Sequence, residues 1–146
     1  MRFPLLGGNL TMKGKNWSLE HLPRLDETTR SRFQDLGITT TQDLLLKAQT
    51  QQGKEEIARY LQQKPQQISK WVIMADLARL PSVGCEYCGL LLHAGIGSIE
   101  QLKQMHPQKL HQQVLRLQIA LFKRRDYCPS VSIVQNWIQD ARKINQ

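Results

Sequence analysis

Aromatic residues are scarce in this chain, with three Trp, three Tyr and three Phe among 146 residues, or 6%. A core with so few rings rests on aliphatic side chains, and each ring that is buried carries a large share of the packing. Cysteine is rarer still, at three. The opening Met1-Arg2-Phe3-Pro4-Leu5-Leu6-Gly7-Gly8 has too short an apolar run for a secretory signal, so three thiols argue against a disulfide framework and for a reducing compartment, taken as cytoplasmic. No apolar run approaches the roughly 18 residues of a membrane span, and no membrane partner is expected.

Acidic residues are also in short supply. Twelve Asp and Glu face twenty Lys and Arg, a formal charge of +8 that favours polyanionic partners without identifying them. The basic residues are spread through both halves, and only Lys123-Arg124-Arg125 forms a cluster. Enzymatic signatures are missing: there is no Gly-rich phosphate loop, no H-E-x-x-H and no nucleophile elbow. Asp35, Asp43 and Asp76 occur singly and read as solvated helix surface, while His21, His93, His106 and His111 are scattered. No enzymatic activity and no cofactor are therefore expected.

What the chain does have is helical patterning. Ile57 with Leu61, and Leu110 with Val114, Leu117 and Leu121, follow the spacing of amphipathic helices. The second stripe also carries Leu115, Ile119 and Phe122 on its flank. With 40% apolar and 22% charged residues the composition is that of a soluble globular protein. The paired glutamines, such as Gln51-Gln52 and Gln112-Gln113, fall on helix exteriors. The pattern predicts an all-α fold of nine or ten helices with no sheet.

The second half also echoes the first. At a spacing of 58 positions Leu22-Pro23 falls on Leu80-Pro81, Leu25 on Val83, Phe33 on Leu91, Gly37-Ile38 on Gly95-Ile96, Thr40 on Ser98 and Leu44 on Leu102. After a short insertion, Ile68, Trp71, Val72 and Ala75 fall on Val134, Trp137, Ile138 and Ala141. The expected organisation is a flexible N-terminal tail over 1–15, a first helical repeat over 16–79 and a second over 80–146. Trp71 and Trp137 are expected in one shared core, because neither repeat has enough apolar surface to stand alone.

The organising stretch is Leu80 to Leu102, which reads as helix, turn, helix, turn, helix. Gly95 stands where a helix end favours positive φ, and Ser98 with Gln101 forms an S-x-x-Q capping box. Its Leu80-Pro81-Ser82-Val83-Gly84 segment resembles a helix-hairpin-helix motif, with Cys88 at the motif's usual small position and Ser82 at its first glycine. Residues 17–144 as a whole resemble an uncharacterised bacterial family, in its cyanobacterial branch, built of tandem helix-hairpin-helix units and carrying no known activity.

The hairpin resemblance implies that backbone amides near Ser82, Val83 and Gly84 hold a nucleic-acid phosphate, with Arg79 and Lys103 as nearby positive charge. Such contact is weak and independent of sequence. In the first repeat Arg24 and Asp26 occupy the glycine positions. Asp26 serves better as a helix cap than as a phosphate neighbour, so that hairpin is expected to be structural. Two alternatives stand beside nucleic-acid binding. One is a protein-interaction adaptor, with an unidentified protein as partner, that has lost the phosphate site. The other is a thiol-redox or metal-dependent factor using Cys85-Glu86-Tyr87-Cys88, with Cys128 and His93 as further candidates. The ligand set is incomplete for zinc, and no metal is expected. Were one bound, Cys85, Cys88 and Cys128 would be its ligands.

Overall fold

A computed structural model describes residues 14–122 and 128–144. The Lys123-Arg124-Arg125 cluster and most of the tail expected over 1–15 lie outside these residues. Among them the chain forms eight α-helices and a 3-10 turn at Leu19–His21, against the nine or ten helices expected. No strand occurs among the described residues, and an isolated bridge pairs Ser18 with Thr40. None of the described helices is long and apolar enough to cross a membrane.

Local chemistry sets most of the boundaries. Helix α1, Glu27–Asp35, begins where the Asp26 side chain accepts the Thr29 N–H, so Asp26 is the cap its sequence suggests. It ends as Gly37, at φ 78°, takes a left-handed conformation while the Ile38 N–H donates back to the Phe33 carbonyl. Helix α2, Thr41–Lys47, opens on a full capping box between Thr40 and Asp43. Helix α3, Gln51–Leu61, is capped by Thr50 and ends at Gln62, also left-handed at φ 56°. Helix α4, Pro65–Leu77, starts on a proline, whose missing N–H costs nothing there.

After a turn over 78–83 come α5, Gly84–His93, and α6, Ile99–Lys103. Gly95, at φ 99°, and Ile96 close α5 with the same back-bonding seen at Gly37 and Ile38. Ser98 caps α6 by accepting the Gln101 N–H. The reciprocal half of the expected box differs: Gln101 Oε1 accepts the Gly97 N–H rather than that of Ser98, and its amide nitrogen donates to the Gly95 carbonyl. Helices α7, Pro107–Phe122, and α8, Val131–Lys143, are the last among the described residues.

Helix α4 is the centre of the packing, against α2, α3 and α5, while α8 packs against α6 and α7. Trp71 and Trp137 are both buried, as expected, at 3% and 0% exposure. Phe33 meets the Trp71 ring edge-on at 5.8 Å between centroids, and Tyr87 lies 5.1 Å from Trp137. Leu44, Leu80, Leu91, Ile99 and Leu102 fill much of the rest of an otherwise aliphatic core.

The single carboxylates are not idle surface. Asp43 accepts the N–H groups of Thr39 and Thr40 and the Thr39 hydroxyl. The Thr39 amide, first among these, holds its carboxyl below the usual value. Asp76 pairs with Arg79 at 2.8 Å, and Asp35 accepts the Tyr60 hydroxyl at 2.9 Å. Asp43→Ala is expected to cost about 1 kcal/mol through loss of the box. Because the folded pKa is depressed, the contribution of Asp43 is present above the unfolded pKa and is lost as pH falls through the folded one. Denaturant titrations at pH 7 and pH 3 check both points. A variant whose deficit is as large at pH 3 as at pH 7 would contradict the acid-sensitive cap.

Candidate binding site at the turn between α4 and α5

Each expected phosphate-binding amide already has a partner. The N–H groups of Val83 and Gly84 both donate to the Leu80 carbonyl, at 3.0 and 2.9 Å. The Ser82 N–H donates to Asp140 Oδ2 of α8 at 2.9 Å. One turn earlier on α8, the Trp137 indole N–H donates to the Ser82 carbonyl at 3.2 Å. Spacing of three residues puts Trp137 and Asp140 on one side of α8, so the helix grips both polar groups of the Ser82 backbone. A carboxylate of the protein itself thus sits on the hairpin amide that the resemblance assigns to a phosphate.

The outer side of the turn is covered by Trp17. Its indole N–H donates to the Ala78 carbonyl at 2.7 Å, and a Cβ added to Gly84 would lie 3.2 Å from its ring. Gly84 has φ +54°, a conformation in which other residues are strained. Trp17 is fixed in turn by Thr41. The Trp17 N–H donates to Thr41 Oγ1 at 3.0 Å, and the Thr41 N–H donates to the Trp17 carbonyl at 2.8 Å. In front of the turn lies a shallow cavity of about 360 Å³, lined by Trp17, His21, Ser82, Gly84, Cys85 and Glu86. Glu86 puts a carboxylate at this cavity, which disfavours a phosphate there. Ser82 Oγ is buried without a hydrogen-bond partner.

Ser82, Val83 and Gly84 therefore meet at one cavity, while Arg79 and Lys103 are engaged elsewhere. Arg79 lines a separate groove with Lys15, Leu45, Leu46 and Asp76, and its carbonyl accepts the Lys15 N–H at 2.8 Å. Lys103 pairs with Glu100 at 3.3 Å, and its carbonyl accepts from Arg142 Nε at 3.3 Å. The first turn is built differently. Arg24 is left-handed at φ 61°, and Pro23 packs so closely on α5 that a Cβ on Gly89 would meet it at 3.3 Å. Trp71 Nε1 has no partner, and the residue three beyond it is Met74, where α8 has Asp140. Asp140 and Trp17 are the two contributors that sequence reading missed. The Asp140/Met74 difference, between helices alike in their Trp and Ala positions, was the available signal.

No group of three or more His, Cys, Asp or Glu suited to a metal occurs among the described residues. Cys88 is fully buried, and its Sγ lies 3.7 Å from the Cys85 carbonyl. Cys128 stands apart, with Sγ 3.8 Å from His111 Nε2. Burial pushes the Cys88 thiol up to about 12 and the Cys85 thiol up to about 11, and raises Cys128 as well. A helix N-terminus lowers thiol pKa in redox pairs, but here desolvation dominates. Alkylation of the folded protein at pH 8 is expected to modify Cys88 at least ~100-fold more slowly than an unperturbed thiol of pKa about 8.5. A raised folded pKa means stability is complete below the unfolded value and declines as pH climbs toward 12. Cys88→Ala should flatten that alkaline decline, and rapid native-state alkylation of Cys88 would contradict the buried, protonated thiol.

Among the described residues the fold is all-helical, and the turn between α4 and α5 is closed by α8. Residues 23–144 match the family described as Domain of unknown function (DUF4332), and the chain belongs to that family. No curated protein and no solved structure matches it.

Proposed function

We propose that the protein is a non-enzymatic binding module of two helix-hairpin-helix-type units and acts as a cytoplasmic protein-interaction adaptor rather than as a nucleic-acid binder. The observation that carries this reading is the bond from the Ser82 N–H to Asp140. An amide already bonded to a carboxylate has no free donor for a phosphate, and the carboxylate would repel one. The two-unit organisation draws support from the matching glycine-closed ends of α1 and α5 and from the equal thirteen-residue lengths of α4 and α8. The three free thiols agree with a reducing compartment.

The charge of +8 supports a second reading, weak contact with nucleic-acid backbone. Titration of labelled duplex and single-stranded DNA across a salt series separates the two. The adaptor reading expects binding no tighter than about 10⁻⁴ M near physiological salt, the weak end of non-specific association. Micromolar affinity with a steep negative salt slope would overturn it. Asp140→Asn sharpens the test, because it removes the charge and keeps an oxygen acceptor for Ser82. If the carboxylate is what bars DNA, the variant gains affinity severalfold. Substitution at Gly84 is a poorer probe, since its left-handed backbone and its contact with Trp17 would fail for reasons unrelated to binding.

A further inference from the structure

We draw no further inference here: the strongest candidate, the groove between Lys15, Asn16 and the exposed side of α2 floored by Leu45 and Leu46, is an unpartnered, partly apolar surface, and nothing in the structure shows what covers it.

Discussion

Trp137→Ala is expected to lower the unfolding free energy by about 4 kcal/mol, a large part of the 5–15 kcal/mol typical of a domain. Trp137 is fully buried, packs on Tyr87 and donates its indole N–H to the Ser82 carbonyl. The truncation opens a cavity in a core with few rings and strands a carbonyl in the central turn. A urea midpoint shift at constant slope measures the loss, and a cost below about 1.5 kcal/mol would contradict the packing described. The hydrogen bond can be separated from the volume by comparing Trp137→Phe with Trp71→Phe. Both remove similar bulk, but Trp71 Nε1 has no partner to lose. The Trp137 variant should therefore cost about 1 kcal/mol more. Equal costs would show that the bond to Ser82 contributes nothing.

Gly53→Ala should be comparably severe, although alanine is the better helix former by about 1 kcal/mol. A Cβ at Gly53 would stand 1.9 Å from the Lys47 carbonyl oxygen, a backbone atom at the end of α2. Gly53 also donates its N–H to Thr50 Oγ1 at 3.0 Å, which fixes it in the capped first turn of α3. The expected loss is about 3 kcal/mol, the upper range for overpacking. Gly97→Ala is the control, since the nearest atom to its added Cβ is Gln101 Oε1 at 3.7 Å, an ordinary contact. Its stability should stay within about 0.5 kcal/mol of wild type. If Gly53→Ala melts with the control, the close approach of α2 and α3 is not as described.

Features of this fold that could be read in the sequence are those whose cause lies within a few residues. Asp26, Thr40 and Ser98 each accept an N–H three positions on, and Gly37 and Gly95 end their helices locally. The burial of both tryptophans followed from the repeat and from the small apolar surface of each half. The site was less legible, because the groups that close it are remote. Asp140 lies 58 positions from Ser82, and Trp17 lies 61 from Ala78. Asp35 does lie on exposed helix surface as expected, but its Tyr60 partner, 25 residues away, was hidden by the same distance. The Cys-x-x-Cys spacing suggested redox or metal chemistry. What spacing cannot convey is the desolvation that keeps Cys85 and Cys88 protonated.

Because the Ser82 backbone is held by Trp137 and Asp140, the turn between α4 and α5 cannot reach its final state until α8 has been made. At translation rates of about 5–20 residues per second, roughly 3–12 s separate the synthesis of Ser82 from that of Asp140. Through that interval the nascent turn has an open amide and an open carbonyl. Helices α1, α2 and α3 can be capped by their own residues as they emerge. The turn between α4 and α5 has to wait, and until α8 arrives its Ser82 amide and carbonyl stay open to other partners.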